Sequence, residues 1–331
     1  MLRVCVIGLG SAGNLHAGAY SGGELSQLVG VCDTDTQRAQ AAASRLGVPA
    51  FADAREMLAA LSPDLVSVCG GDAAFAPVMQ ALERGCHVLC EVPVSRELAH
   101  VREMVAAARA RGLCLAANFN HRFTPAAVKA RQWIDEARLG TPLFINTALW
   151  GGEPAPADPE AFLWRLACHG FDLMRYLCGD FARVQCFAAK APGRRGRSSA
   201  QVNVQFASRV VGNLTVSCDM PSHHPIGRCE VAGTTARLVV DNVYEEVTLY
   251  PHAEDEKTVI TDSVFGGLGS VDETIRCRIH RLLEQLTAGV AADEIEGSGE
   301  DALAAHVAIE AAIKSLESGD VVRMHDLGGG T

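Results

Sequence analysis

Arg3-Val4-Cys5-Val6-Ile7-Gly8-Leu9-Gly10-Ser11-Ala12-Gly13-Asn14-Leu15-His16-Ala17-Gly18 is the stretch whose reading decides the fold. Val4, Val6 and Ile7 form a short apolar run with strand character, and Asn14 to Tyr20 can run on as a helix. Between them, Gly8, Gly10 and Gly13 keep the G-x-G-x-x-G spacing. In a dinucleotide site such glycines give a tight turn, let the backbone approach a pyrophosphate, and let the helix pack on the strand. The helix start at Ser11 and Ala12 offers N–H groups and a partial positive charge to the phosphates. Twenty residues past Gly13, Asp33 ends the apolar run Leu28-Val29-Gly30-Val31-Cys32, where the adenosine ribose would lie. A carboxylate there accepts from ribose hydroxyls and repels a 2′-phosphate, so NAD is expected over NADP. Arg38, one turn into the next helix, is read as solvated.

Outward from this motif, residues 1 to about 119 alternate strand and helix. Helices are expected near 36–46, 77–84 and 97–110, and strands at 65–69, 87–90 and 114–117. That alternation predicts right-handed crossovers and a doubly wound parallel sheet of the Rossmann type. From about residue 143 the pattern changes to strands joined mostly by short turns: 144–150, 184–189, 202–206, 210–218, 237–240 and 247–250. The expectation is an α/β second domain, 120–331, with a large, mostly antiparallel open sheet and one helical insertion over 159–177. A terminal helix over 298–318 follows, with Ala305, Ile309, Ala312 and Leu316 on one face and Gly319 as its stop. This helix is expected to pack near the domain junction.

Composition bounds the partners. A net charge of −10 over 331 residues argues against nucleic acid, which needs basic clusters. Arg194-Arg195-Gly196-Arg197 is basic but reads as a solvated hairpin tip. No apolar stretch is long enough for a membrane span. The twelve cysteines lie inside predicted strands and helices without paired spacing, which suits buried thiols in a cytoplasmic protein. In Cys86-His87-x-x-Cys90, strand alternation turns neighbours to opposite faces, so no metal site is expected.

Five motifs in order, GLGSAG (8–13), GCHVLCEVP (85–93), NFNHRFTP (118–125), CHGFDLMRYLCGD (168–180) and SGEDA (298–302), resemble the glucose–fructose oxidoreductase/inositol dehydrogenase/rhizopine-catabolism (Gfo/Idh/MocA) family. The resemblance implies NAD(P)-dependent oxidation or reduction of a polyol, sugar or related small molecule. It also implies a homodimer or homotetramer formed through the open sheet, which is expected to carry large apolar residues. By the same resemblance Glu91 contacts the nicotinamide-side ribose, Asn120 and Arg122 lie near the nicotinamide half, and Asn118 lies close to the substrate. Gly70 and Gly71 stand in the cofactor-binding motif after the third strand.

The departures from that pattern bear on chemistry. Relatives commonly carry Glu-Lys-Pro where this chain has Glu91-Val92-Pro93. The third-strand Thr-Pro-Asn with its histidine becomes Gly70-Gly71-Asp72 with Phe75, and Asp-x-Gly-x-His becomes Arg165-x-Ala167-x-His169. None of the four lysines, Lys129, Lys190, Lys257 and Lys314, is an obvious substitute. His169 is therefore the expected acid–base, since an imidazole titrates near neutrality. Arg165, His169 and Asp172 fall at i, i+4 and i+7, so one helical stripe would carry a cation, an imidazole and a carboxylate. Arg165 could hold an anionic substrate group, Asp172 reads as a structural residue, and Trp150 could wall the substrate pocket. His223-His224 is an alternative contributor to that pocket. Besides an NAD-dependent oxidoreductase, the sequence leaves open a non-catalytic NAD-binding regulator and a redox-neutral enzyme with tightly held NAD.

Overall fold

The apolar run at the N-terminus becomes an interior strand because its side chains are buried on both faces, as a parallel sheet demands. In the computed structural model, which describes residues 1–152, 160–220, 226–241, 245–261 and 271–327, the chain opens with strictly alternating elements. These are β1 (Leu2–Ile7), α1 (Ser11–Tyr20), β2 (Ser26–Cys32), α2 (Thr36–Leu46), β3 (Ala50–Phe51), α3 (Ala54–Leu61), β4 (Leu65–Val68), α4 (Phe75–Glu83), β5 (His87–Cys90), α5 (Leu98–Ala110) and β6 (Leu115–Ala117). Six parallel strands lie in the order β3-β2-β1-β4-β5-β6. The order reverses between β1 and β4, the switch point at which open α/β sheets bind ligands. The short β3 and α3 are additions to the sequence reading.

After α6 (Pro125–Asp135) come β7 (Pro142–Trp150), α7 (Cys168–Cys178), β8 (Phe181–Ala189), β9 (Ser199–Phe206), β10 (Val211–Ser217), β11 (Ile226–Gly233), β12 (Ala236–Asp241), β13 (Glu246–Pro251) and β14 (Thr258–Thr261). The chain ends with α8 (Val271–Thr287), α9 (Gly299–Ser318) and β15 (Val322–Arg323). A nine-stranded sheet has the order β14-β13-β12-β11-β7-β10-β9-β8-β15, antiparallel throughout except for the parallel pair β7 and β10. On α9, Ala305, Ile309 and Ala312 are buried, as the apolar periodicity predicts.

The chain forms two compact units: Met1–Asn120 with Ser270–Leu303, and His121–Gly269 with Ala304–Thr331. The second unit begins at His121, whereas α8 belongs with the first unit and α9 begins there. Ile275, Ile279, Leu282 and Leu283 of α8 join Val4, Leu28, Ala17 and Tyr20 in one buried cluster. Their spacing, at i, i+4, i+7 and i+8, is an amphipathic stripe that needs the Rossmann sheet's helical layer for cover.

The second sheet departs from expectation in its open face. Register puts Gln201 beside Thr215 and Asn203 beside Asn213, those beside Ala148 and Asn146, and Gln205 beside Val211. Farther along, Arg228 pairs with Asp241 and Arg237 with Glu230, each at 2.7 Å. Among the described residues, large apolar side chains are exposed on this face at Phe144, Phe187, Val211 and Val259. The described part of this face is therefore chiefly polar. Its opposite face is apolar: Val202, Val204, Leu214 and Val216 are buried.

Candidate functional site

Close packing fixes the glycine turn. A Cβ on Gly13 would stand 1.7 Å from the Gly8 carbonyl oxygen, so only glycine lets α1 begin this close to the end of β1. Asn14 ties the turn by donating to the Leu9 and Gly10 carbonyls at 2.8 and 3.0 Å, and Arg45 donates to its Oδ1 at 2.6 Å. Gly10 precedes α1 with no side-chain cap, and no acid stands in the first turn. By contrast, Asp35 and Asp53 cap α2 and α3. A Cβ on Gly10 would meet nothing within 4 Å. With no side-chain cap at the start of α1, an anion can complete the N–H groups at Ser11 and Ala12.

Asp33 is fixed beside this turn. Its Oδ2 accepts the Leu9 N–H at 2.6 Å, and its Oδ1 accepts the Asp35 N–H at 2.8 Å. A carboxylate oxygen has two lone pairs, so acceptor capacity remains for ribose hydroxyls. Arg38 is 61 % exposed and pairs with Asp35 at 3.2 Å, in keeping with a solvated side chain. Open N–H groups for a pyrophosphate and an oriented carboxylate for a ribose fit a dinucleotide.

At the ends of β4 and β5 lies a buried polar chain that the sequence reading missed. His16 Nε2 meets Glu91 Oε1 at 2.7 Å, and Asn118 Nδ2 donates to the same oxygen at 2.7 Å. His16 Nδ1 lies 3.0 Å from Ser67 Oγ, which lies 2.9 Å from the Tyr20 hydroxyl. Burial pushes the Tyr20 phenol up, so it keeps its hydrogen. His16, Cys69 and Glu91 also form a cluster of metal-ligand type, with ligand atoms within 4.8 Å of one another. His16 and Glu91 are already hydrogen-bonded to each other, and burial pushes the Cys69 thiol up, which disfavours the thiolate a metal needs. The signal for His16 was its position: three residues after Gly13 and four before Tyr20, on the buried face of α1.

Gly70 and Gly71 follow β4, and Gly71 opens a single 3₁₀ turn. The peptide from Val92 to Pro93 is cis. Asn120 donates from Nδ2 to Thr274 Oγ1 at 2.5 Å, and Arg278 ties the end of β6 to the chain before α9 by donating to the Ala117 and Gly297 carbonyls. His87, from the metal-like motif, accepts the Cys114 N–H at Nδ1. All twelve cysteines are free thiols.

In the second unit, the uniform helix expected from Arg165 to Asp172 is divided. Leu163–Ala167 is a π-helical turn and α7 begins at Cys168. Arg165 is exposed, His169 is half-buried and Asp172 is fully buried, so the three do not share one surroundings. The cation facing Asp172 is Arg122, bidentate, with Nε to Oδ2 at 2.7 Å and the second N–H on Oδ1. The Arg122 guanidinium also lies 5.3 Å from the Tyr176 ring centre. Arg122, expected near the cofactor, thus serves α7 in the structure. One residue earlier, His121 stacks on His169 with centroids 4.4 Å apart. Burial, and secondarily His169, hold His121 well below the ordinary imidazole range, so it stays neutral.

Gly170 allows α7 to lie against the sheet, since a Cβ there would stand 2.5 Å from Leu214 Cδ1. Trp150, at the end of β7, is half-buried between Ser217 and Ile226. His223 and His224 lie outside the described residues. Among the lysines, Lys129 donates to Gln132 at 2.9 Å and Lys257 lies over Tyr250, while Lys190 and Lys314 are exposed. No described helix is long and apolar enough to cross a membrane.

With this geometry in place, comparison with known proteins is consistent along the chain. Residues 2–119 match the oxidoreductase family with an NAD-binding Rossmann fold, and residues 127–239 match the GFO/IDH/MocA C-terminal domain. The chain is 38 % identical over 150 residues to a D-glucoside 3-dehydrogenase of Escherichia coli, covering 44 % of this chain and 42 % of that protein. The chain therefore spans less than half the length of that relative. A myo-inositol 2-dehydrogenase of Thermotoga maritima is 27 % identical over 268 residues, 77 % of this chain and 80 % of that one. The fold coincides with that of an NAD-binding oxidoreductase from Klebsiella pneumoniae at a TM-score of 0.86, over 98 % of both chains and at 23 % identity. Two models of one family, matched in succession over most of its length, show that this chain belongs to the GFO/IDH/MocA family of oxidoreductases, with an NAD-binding Rossmann fold in its first unit.

Proposed function

We propose that the chain is an NAD-dependent oxidoreductase acting on a secondary alcohol, or the matching ketone, of a sugar or cyclitol. The observation that carries this reading is the uncapped start of α1 with Asp33 fixed beside it, a cradle for pyrophosphate and ribose. Relatives named for glucosides and myo-inositol support the substrate class. When bound, NAD supplies the hydride acceptor or donor. In the oxidative direction His169 takes the hydroxyl proton as the carbinol C–H bond breaks, leaving a carbonyl. Stacking on His121 and the tight seat of Gly170 limit how far this imidazole can turn. Arg165, exposed on the π turn, is assigned to an anionic group on the substrate. The test is NADH formation across a panel of polyols, sugars and sugar acids. NAD that stays bound through turnover without net NADH would instead indicate redox-neutral chemistry.

Cofactor choice follows from Asp33. Like charges roughly 4 Å apart repel by about 4 kcal/mol at an effective dielectric of about 20. NAD is therefore expected to bind at least about tenfold more tightly than NADP, a difference of about 1.4 kcal/mol. Asp33→Ser should narrow the gap. Equal affinities in calorimetry would refute the assignment.

The open face of the nine-stranded sheet is the surface we assign to a homodimer or homotetramer. Ion pairs on this face, with Phe144, Phe187 and Val211 exposed among them, suit a polar interface with local apolar anchors. Light scattering at micromolar concentration should give at least twice the 35.0 kDa chain mass. A mass of one chain would sink the idea.

A further inference from the structure

We propose that His16 is a positioning residue for Glu91, the inner end of a directional hydrogen-bond relay that fixes this carboxylate as an acceptor for the nicotinamide-side ribose. The inference rests on the NAD reading above and adds to it a residue outside the glycine motif. Glu91 as a carboxylate can only accept, so the 2.7 Å contact requires a hydrogen on His16 Nε2. A neutral imidazole then offers a lone pair at Nδ1, and Ser67, 3.0 Å away, donates to it. Ser67 is in turn the acceptor for the Tyr20 hydroxyl at 2.9 Å. Each link thus has its direction set by the next: Tyr20 to Ser67, Ser67 to His16, His16 to Glu91.

Burial makes this arrangement consequential. His16 and Ser67 are fully buried, while the Glu91 side chain keeps 18 % exposure and so reaches the surface that a ligand meets. Asn118 Nδ2 supplies the second donor to Oε1. Two donors on one oxygen set the plane of the carboxylate. The relay also joins α1, whose start faces the pyrophosphate site, to the ends of β4 and β5. A single rigid chain of polar contacts therefore fixes Glu91 relative to the phosphate-binding turn.

The experiment compares NAD, ADP-ribose and AMP by calorimetry on the native chain, His16→Leu and His16→Gln. AMP lacks the second ribose, so it reports the adenosine half alone. His16→Leu is expected to weaken NAD and ADP-ribose by about tenfold and leave AMP within about twofold. In His16→Gln the amide N–H can replace Nε2–H, and NAD affinity should largely recover. Equal losses for all three ligands, or no loss for any, would overturn the positioning role. Failure of the native chain to bind NAD at all would overturn the cofactor reading and this inference with it. A second readout needs no variant. Nitrogen-15 NMR of the native protein should show the His16 proton on Nε2 with Nδ1 bare, and the opposite tautomer would overturn the relay.

Discussion

Replacing His169 with alanine is expected to lower kcat by about 10²–10⁴-fold on the proposed sugar or cyclitol substrate, the usual worth of a positioned acid–base. The expectation stands on Val92, which occupies the place of the lysine common in relatives and has neither an exchangeable proton to give nor a lone pair to take one. The proton must then leave through another group, and His169 is the candidate imidazole, half-buried and stacked on His121. NAD affinity should barely change in the variant, because the residue is assigned to the substrate. A limb in the rate–pH profile set by this imidazole should vanish as well. Val92→Lys provides the complementary arm. If the native site is built around His169, the added lysine leaves activity unchanged or lowers it. Activity on simple polyols that appears only in Val92→Lys would instead favour a native chain that has abandoned dehydrogenation.

The second large effect is on stability. Asp172 is 1 % exposed and Arg122 is 6 % exposed, and the pair is bidentate. Removing one partner of a buried pair leaves the other charge without its counter-ion in low dielectric, at a cost of about 3–5 kcal/mol. Asp172→Ala should therefore destabilise the second unit by that amount, read from the shift of its urea transition. It should also loosen α7, so that part of its effect on rate passes through His169. Changing both residues to apolar ones of similar volume should recover much of the loss, because the desolvation penalty of both charges disappears with them. A single variant that costs less than about 1 kcal/mol would show the pair to be dispensable.

The two effects separate cleanly in measurement. His169→Ala changes the rate with the urea transition in place, whereas Asp172→Ala moves the transition first. Arg122 was expected to serve the cofactor, and its engagement by Asp172 and Tyr176 changes what its substitution would mean. Loss of activity in an Arg122 variant would report disorder of α7 as much as loss of a ligand contact.

Local pattern in the sequence determined the Rossmann half: an apolar run, three glycines at fixed spacing, and Asp33 at the end of the next strand encode strand, turn, helix and acceptor within neighbouring residues. The same locality made α9 legible through its apolar stripe and its stop at Gly319, and made the second sheet legible through alternation in strands such as Gln201 to Phe206. Helix α8 carried an equally regular stripe, Ile275, Ile279 and Leu282, but its membership in the first unit is a long-range fact, since its partners lie some 250 residues earlier. Tertiary structure alone decided which polar groups meet. His16, Glu91 and Asn118 come from distant parts of the chain, and no spacing along it brings them to one carboxylate oxygen or brings Ser67 to His16. Arg122 and Asp172 are fifty residues apart, and the sequence offered Asp172 a nearer cation, Arg165, on a helix assumed uniform. The π turn at Leu163–Ala167 and the burial of Asp172 left Arg165 exposed and gave the carboxylate to Arg122. Periodicity specifies which face of an element is buried, whereas hydrogen-bond partners depend on how separate elements pack, and that is why the cradle was readable and the polar networks were not.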